Sequence, residues 1–292
     1  MKPPPFHYHD PRTVADAVSL LARLDNAKLL AGGQSLMPML NMRFVLPDNV
    51  IDLNRVDGLS YIREREGALE IGAMTRQREL EFSDVVRTRC PLMHEAILQV
   101  GHRQTRNRGT IGGSLCHLDP AAELVSGAAA LDATVTVAGP NGTREIAFAD
   151  FPVAYMTPAI EPQEILTAVR LPIWPQGHGY AFIEFSRRHG DFAIVSAAAL
   201  LEADVGGKIT RASLTLGGMG QGPVRGREVE QGLLGQAPGD DLFRELCESC
   251  RAIEAVDDIH ASAGYRQHLA AVLARRALTK AASRLGAAGR PH

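Results

Sequence analysis

Two glycine-rich stretches with nearly the same text place the tightest constraint on how this chain folds. Residues 31–35 read AGGQS, and residues 109–115 read GTIGGSL. Because glycine has no Cβ, consecutive backbone N–H groups can turn toward an anion there, and the serine adds a hydroxyl donor. A helix that begins after such a turn adds the positive end of its dipole. We therefore expect two turns that hold a diphosphate from both sides; the alternative is two unrelated turns in a chain with 28 glycines.

The first half of the chain predicts compact α/β structure. Residues 13–24 place apolar side chains on one helical face, and Thr13 with Asp16 resembles a capping box. Short apolar runs at 27–31 and 49–54 have the length of buried strands. The further elements predicted are hairpins over 61–74 and 134–148, helices from Thr75 to about Phe82 and over 91–101, and a strand over 164–174.

The composition changes near residue 176, where PQGHGY (175–180) is typical of a boundary loop. Three apolar strand candidates follow, and from about residue 226 the pattern is helical, with a long Ala/Leu/Arg-rich segment over 261–285. Strands first and helices afterwards predict a separate α+β domain. The expected domains are residues 1–176 and 177–287.

Charge and composition exclude several classes of protein. The 292 residues carry 31 basic and 33 acidic side chains, which offers no electrostatic basis for nucleic-acid binding. The N-terminus has three prolines and no apolar signal region, and no apolar run is long enough to span a membrane. Four scattered cysteines do not form a disulfide scaffold. We expect a soluble, cytoplasmic protein.

Several further groups have both a functional and an ordinary interpretation. Arg103, Arg106 and Arg108 are weak grounds for a nucleic-acid patch in a neutral protein, so pairing around the second glycine stretch is favoured. His102 and His117 have no partners at metal-ligand spacing. Cys247 and Cys250 form an isolated C-x-x-C; as neighbours on a helix they are either a redox pair or ordinary core residues. The glycine cluster at 216–225 favours a looped strand end.

In their longer form, AGGQSLMPMLNMRF and RNRGTIGGSLCHLDPAAEL, the two stretches resemble the flavin-loop signatures of the flavoprotein subunits of molybdenum hydroxylases. These are the FAD-binding medium subunits of carbon monoxide dehydrogenase-like and xanthine dehydrogenase-like enzymes. Further family segments, such as VIDLNRVDGL, EILTAVRLP and RRHGDFAIVSAA, follow in order over nearly the whole chain. The resemblance implies an α+β fold: a two-lobed FAD-binding domain of the para-cresol methylhydroxylase/vanillyl-alcohol oxidase type and a smaller α+β C-terminal domain.

The resemblance also implies which residues bind FAD. Glu123 is similar to an acidic residue that accepts hydrogen bonds from cofactor hydroxyls. Some relatives have histidine at Gln34, and both side chains can donate. The implied cofactor-binding residues are Leu29 and Leu30 before the first loop, Ala31, Gly32, Gly33, Gln34, Ser35 and Leu36 in and after it, Thr110, Ile111, Gly112, Gly113 and Ser114 in the second loop, and Glu123, Leu166 and Phe192.

Phe192 keeps two interpretations open. The stretch HGDFA (189–193) resembles a C-terminal segment that approaches the isoalloxazine ring, and some relatives carry tyrosine at Phe192. Phenylalanine keeps the ring face for stacking but has no hydroxyl. Phe192 therefore either shields the flavin or packs in the core, and Asp191 either takes part there or is a local turn residue.

The function that the resemblance implies is that of a flavin subunit in an oxidoreductase complex. Such a chain passes electrons from iron–sulfur clusters on a partner, through FAD, to an external acceptor. The implied partners are a large molybdenum-cofactor subunit and a small iron–sulfur subunit with [2Fe–2S] clusters, in a dimer of heterotrimers. The four cysteines of this chain do not form the tight pattern that such a cluster requires, and we assign the chain no catalytic residue. The alternatives are a self-sufficient FAD-dependent oxidase or reductase, and a non-catalytic protein that has lost the cofactor.

Overall fold

The computed structural model describes residues 1–286, which form three β-sheets and a two-stranded ribbon. Two of the sheets are built from the chain before residue 176, and the third lies beyond it. Each sheet contributes to its own hydrophobic core. Residue 287, the expected end of the second domain, lies outside the described residues.

The first sheet is small and parallel, with its strands in the order β1–β3–β2. Its elements are β1 (His7–His9), α1 (Val14–Arg23), β2 (Ala27–Leu30), α2 (Leu36–Asn41) and β3 (Asn49–Asp52). Thr13 caps α1 as predicted, because its hydroxyl accepts the N–H of Asp16 at 3.1 Å. Since Leu30 pairs with Asp52, the glycine stretch after β2 emerges beside the end of β3.

The second sheet has five antiparallel strands in the order β4–β5–β10–β6–β7. Its first strands are β4 (Ile62–Arg65) and β5 (Ala68–Gly72), and the helices that follow are α3 (Gln77–Phe82), α4 (Asp84–Arg89), α5 (Pro91–Gln99), α6 (Arg103–Arg108), α7 (Ile111–His117) and α8 (Glu123–Ala130). The later strands are β6 (Thr134–Gly139), β7 (Gly142–Ala147), the ribbon β8 (Pro152–Ala154) and β9 (Thr157–Pro158), and β10 (Ile165–Pro172). Sheet and helices share a core that includes Leu69, Ile97 and Ile111.

The third sheet is antiparallel, with neighbouring strands consecutive in the chain. Its elements are β11 (Gly179–Phe185), β12 (Val195–Ala203), β13 (Ile209–Gly217), β14 (Val224–Arg225), α9 (Arg227–Leu233), α10 (Asp240–Cys247) and α11 (Ala263–Ala282). The long helix α11 packs on β11 and β12, and its buried alanines and leucines explain the composition of this segment. None of the helices in residues 1–286 combines the length and apolar character that a membrane crossing requires.

Most predicted elements are confirmed, and one predicted helix start is wrong. The two hairpins pair as expected, β4 with β5 and β6 with β7. The predicted strand–helix order of the second half is also confirmed. Thr75, however, does not cap α3, which begins two residues later with Arg76 at the cap position. Its hydroxyl instead bonds the backbone N–H and carbonyl of Tyr61, both at 3.0 Å, so a long-range contact replaces the local one.

Candidate functional site

The two glycine stretches meet in space, backbone against backbone. We call residues 31–35, between β2 and α2, the first loop, and residues 110–114, at the start of α7, the second loop. A Cβ on Gly32 would overlap the carbonyl oxygen of Arg108, just before the second loop. A Cβ on Gly113 would lie 3.5 Å from the methyl group of Ala31. The sequence prediction that the two stretches form one site is therefore supported by their direct contact.

The first loop presents a row of backbone N–H groups with no acceptor in the protein. Gly33 takes a left-handed φ of 73°, which turns the chain sharply before α2 begins. Within residues 1–286, no protein acceptor receives the N–H groups of Gly32, Gly33, Gln34, Ser35 and Leu36. Unsatisfied donors in consecutive residues are the arrangement that binds anions.

The second loop differs from the sequence expectation, because its N–H groups are mostly used inside the fold. Thr110 caps α7, and its two oxygens accept the N–H groups of Gly113 at 3.0 Å and Ser114 at 3.1 Å. The N–H of Gly112 bonds Ala73 at 2.9 Å, and that of Ile111 bonds Thr75 at 3.1 Å. Gly112 is bare because a Cβ would lie 2.6 Å from the Ala73 methyl group. The glycines here serve close packing, and the second loop supports the first.

Two side chains that sequence reasoning missed connect these loops. Asn54 donates to the carbonyl of Ala31 at 2.9 Å, and Arg76 donates to the Asn54 amide oxygen at 2.5 Å. Arg76 also donates to the carbonyl of Arg108. No local pattern in the sequence predicts this link, because its members come from four separate segments.

Glu123 belongs to a group of buried polar side chains between α8 and the third sheet. It is the first residue of α8 and 6% exposed, and its burial, with Asp119 adding to it, raises its pKa to about 7. Glu184 of β11, which sequence reasoning missed, lies opposite Ser196 in the β-ladder, and Ser196 is 3.5 Å from Ser126 of α8. Burial, with the Glu123 carboxyl adding to it, raises the pKa of Glu184 to about 8.

The apolar site residues lie around the loops at different depths. Leu29 and Leu30 of β2 and Leu36 of α2 are half-buried. Leu166 is 4% exposed in β10 and belongs to the core of the second sheet. Its neighbour Thr167 accepts the N–H of Ala73 at 2.9 Å, the residue on which the second loop packs.

Phe192 does not pack in the core, so that interpretation is wrong. It is 68% exposed in the loop that joins β11 to β12. This loop reaches the start of α6, where a Cβ on Gly190 would lie 2.8 Å from His102 Nδ1. Asp191 closes a local turn, because its N–H bonds Arg188 at 3.0 Å. The loop thus brings an unburied aromatic ring toward the side of the molecule that carries the second loop.

The other candidates have structural roles or lie elsewhere. Arg106 pairs with Glu81 of α3 at 2.9 Å, so this arginine of the basic stretch forms an ion pair, as expected near the second loop. Residues 1–286 contain no group of three potential metal ligands, at His102, His117 or elsewhere. Cys247 and Cys250 are buried in the core of the third sheet and are not joined by a disulfide. The glycine cluster at 216–225 forms the looped end of β13, as predicted.

Comparison with known proteins agrees with this arrangement and defines a class of flavoprotein. The family described as "FAD binding domain in molybdopterin dehydrogenase" matches residues 4–174, and the family described as "CO dehydrogenase flavoprotein C-terminal domain" matches residues 180–281. Together the two families match most of the chain. The protein belongs to the FAD-binding medium-subunit family of the molybdenum hydroxylases, which are oxidoreductases.

Individual relatives match over nearly their full length. The chain is 41% identical over 290 residues to the 6-hydroxypseudooxynicotine dehydrogenase complex subunit alpha of Paenarthrobacter nicotinovorans, covering 97% of each. It is 38% identical to the carbon monoxide dehydrogenase medium chain of Afipia carboxidovorans, covering 97% of this chain and 99% of the relative. A chain of carbon monoxide dehydrogenase from Hydrogenophaga pseudoflava superimposes with a TM-score of 0.94 at 35% identity, covering 98% and 100%.

Proposed function

We propose that this protein is the FAD-carrying electron-transfer subunit of a multi-subunit molybdenum hydroxylase. In that role the protein takes electrons from iron–sulfur clusters of a partner chain and delivers them, by way of bound FAD, to an external acceptor. The observation that carries the proposal is the row of five N–H groups from Gly32 to Leu36, in the first loop and at the start of α2, which have no acceptor in residues 1–286 and are held against the second loop. Free amides in consecutive residues suit a diphosphate, which is the anionic part of FAD.

The residues present fit FAD in charge and in polarity. The N–H groups of the first loop, with the hydroxyls of Ser35 and Ser114, would hold the diphosphate. Glu123 would accept from cofactor hydroxyls, and Leu29, Leu30, Leu36 and Leu166 would provide apolar contact. Phe192 would cover the ring system from the third sheet. FAD, when bound, supplies the reversible electron transfer, while these side chains bind it, orient it and exclude water.

The fold and partners form part of the same proposal. The separate cores of the first two sheets support a two-lobed domain of the vanillyl-alcohol oxidase type, with the boundary to the C-terminal domain at residue 176. The names "complex subunit alpha" and "medium chain" of the relatives support a complex with other chains. We expect a large molybdenum-cofactor subunit and a small iron–sulfur subunit, in a cytoplasmic dimer of heterotrimers.

Purification of the chain by itself tests the FAD part of this proposal. We expect flavin absorbance bands, or their appearance on addition of FAD, and tighter binding of FAD than of riboflavin, which lacks the diphosphate. Equal affinity for the two ligands would contradict our assignment of the first loop. A colourless protein that takes up no added FAD would contradict the whole proposal.

Isolation from native cells tests the electron-transfer part. We expect co-purification with a molybdenum-containing chain and an iron–sulfur chain, and little turnover by the isolated subunit because the substrate would be oxidised on another chain. Full substrate turnover by the single chain would instead select the self-sufficient oxidase or reductase.

A further inference from the structure

Arg76 and Asn54 form a bridge between the two loops. The bridge begins at the carbonyl of Ala31, which accepts from Asn54 at 2.9 Å. It continues through the Asn54 amide oxygen to one nitrogen of Arg76 at 2.5 Å, and the other terminal nitrogen bonds the carbonyl of Arg108. Because both ends are main-chain carbonyls, the bridge fixes the backbone of the first loop relative to the segment that leads directly into the second loop.

Both side chains of the bridge are held in place by their surroundings. Asn54 lies in the short 3₁₀ turn Leu53–Arg55, and its N–H bonds Asp52 at 2.9 Å. Asp52 in turn accepts the hydroxyl of Tyr8 at 2.6 Å. On the other side, the backbone around Arg76 pairs with residues 109–111, through Gln77 to Gly109 at 2.9 Å and Ile111 to Thr75 at 3.1 Å. The guanidinium is therefore fixed at the junction of the loops.

Glu79 and Asp52 are close enough to favour the charge of Arg76, but neither forms an ion pair with it in residues 1–286. Burial and the neighbouring Arg108 lower its pKa, yet no carboxylate lies within 4.0 Å of it in residues 1–286. All other arginines of this part that are buried or half-buried have such a partner: Arg78, Arg106, Arg170, Arg225, Arg266, Arg275 and Arg284. A half-buried guanidinium without an ion-pair partner, linked through Asn54 to the loop that carries the free N–H groups, is complementary to an anion that the described residues do not supply.

We propose that Arg76, oriented by Asn54, is a positioning residue for the diphosphate of FAD. It sets the spacing of the first loop and the second loop, and it supplies the positive charge of a site that is otherwise built from neutral N–H groups. This inference rests on the proposed function, because it assumes that FAD is the ligand.

The test compares Arg76→Ala, Arg76→Lys and Arg76→Gln with the unmodified protein, using FAD and riboflavin as probes. For Arg76→Ala we expect FAD affinity to fall by about ten- to a hundredfold, since hydrogen bonds made by a charged group are the stronger class. Arg76→Lys keeps the charge without the planar fork and should be intermediate, and Arg76→Gln should resemble Arg76→Ala in affinity. If Arg76→Ala does not fold, the comparison of Arg76→Lys with Arg76→Gln still isolates the charge.

The salt dependence of binding separates this role from a merely structural one. In the unmodified protein FAD affinity should fall as salt is raised, and this slope should be flatter in Arg76→Ala and Arg76→Gln but kept in Arg76→Lys. Riboflavin affinity should change little in all three variants. A structural defect would weaken both ligands equally and leave the slope unchanged, and this result would overturn the proposal.

Arg225→Ala is the matched control. Arg225 is also half-buried and bonds Glu230 at 2.8 Å, Asp132 at 2.5 Å and the carbonyl of Ala129 at 3.1 Å, away from both loops. We expect this variant to lose thermal stability but to keep FAD affinity and its salt slope. If Arg76→Ala binds FAD like the unmodified protein, the positioning role fails while the proposed function stands. If the unmodified protein binds no FAD, both fail.

Discussion

Gly32 and Gly33 are neighbours that lack a side chain for different physical reasons. Gly33 has a left-handed φ of 73°, a conformation that costs an L-residue about 1–2 kcal/mol. Gly32 has no such φ, but its α-carbon faces the backbone of Arg108 and Gly109, and a Cβ would lie 2.7 Å from the Gly109 α-carbon. The absence of a side chain at Gly32 therefore lets the two loops approach each other, whereas at Gly33 it allows the turn whose N–H groups have no acceptor in residues 1–286.

Gly32→Ala is expected to separate the loops. We expect the free energy of unfolding to fall by about 1–3 kcal/mol, as for overpacked sites, together with a loss of FAD retention. Chemical denaturation and flavin content measure the two effects. Gly220→Ala is the control, because a Cβ there would meet nothing within 4 Å. Equal stability of both variants would show that the loops do not pack as described.

The buried carboxyl group of Glu184 should make stability depend on pH. Its pKa of about 8 lies above the ordinary value of 4.5, so the folded protein holds a proton that the unfolded chain releases. The cost of folding therefore grows as pH rises from about 4.5 to 8. Glu184→Gln removes this cost, and we expect it to stabilise the protein by at least about 1 kcal/mol at pH 8.5 and not at pH 4.

Thermal unfolding of Glu184→Gln over this pH range provides the measurement. The exposed Glu254 gives a matched control in Glu254→Gln, which should show no such gain. If the unfolding temperatures of Glu184→Gln and the unmodified protein differ by the same amount at all pH values, the raised pKa of Glu184 is contradicted.

At the level of elements, local sequence patterns predicted the fold well. The helical period of 13–24, the capping residue Thr13 and the alternation around Gly67 are local signals, and each corresponds to an observed element. The contact of the two loops was also expected, because their similar sequences predicted a common binding site. Patterns of this kind contain the information needed for helices, hairpins and the position of the site.

Contacts between residues that are far apart in the chain could not be predicted from the sequence. Thr75 has the local context of a helix cap but bonds Tyr61, and the N–H groups of the second loop are used by Ala73 and Thr75. Glu184 and Arg76 look like ordinary charged residues of a strand and a helix start. Only the packing of distant elements removes water and partners from them, and so gives these two residues their special properties.

The loop between β11 and β12 offers a prediction at the same scale. Because Phe192 is 68% exposed, Phe192→Ala should change the free energy of unfolding by no more than about 0.5 kcal/mol, as for ordinary surface positions. Phe182→Ala, which removes a buried ring of β11, should cost about 3–5 kcal/mol and serves as the control. An altered flavin absorbance spectrum in Phe192→Ala would support stacking on the ring system, and an unchanged spectrum would contradict it.

In the whole molecule, the two loops belong to different hydrophobic cores. Ala31 packs on the small core of the first sheet, with Ile51 and Leu53, whereas Ile111 belongs to the much larger core of the second sheet. A ligand held between the loops therefore joins two cores that also meet where Ala138 and Ile165 of the second sheet pack in the smaller one. Its binding energy adds to the stability of their contact by mass action.

This division into cores has a consequence for local opening of the native state. A small core that docks on a larger one is expected to detach at a lower free energy than global unfolding, as a separate cooperative unit. Without FAD, backbone amides of β2 and β3 should exchange hydrogen for deuterium faster than those of β5 and β10, and saturating FAD should slow exchange mainly in the first group. Uniform protection of all four strands would contradict this. Bound FAD would then reduce the local opening of the N-terminal sheet. The availability of flavin in the cell would therefore decide how long this part of the chain resists proteolysis.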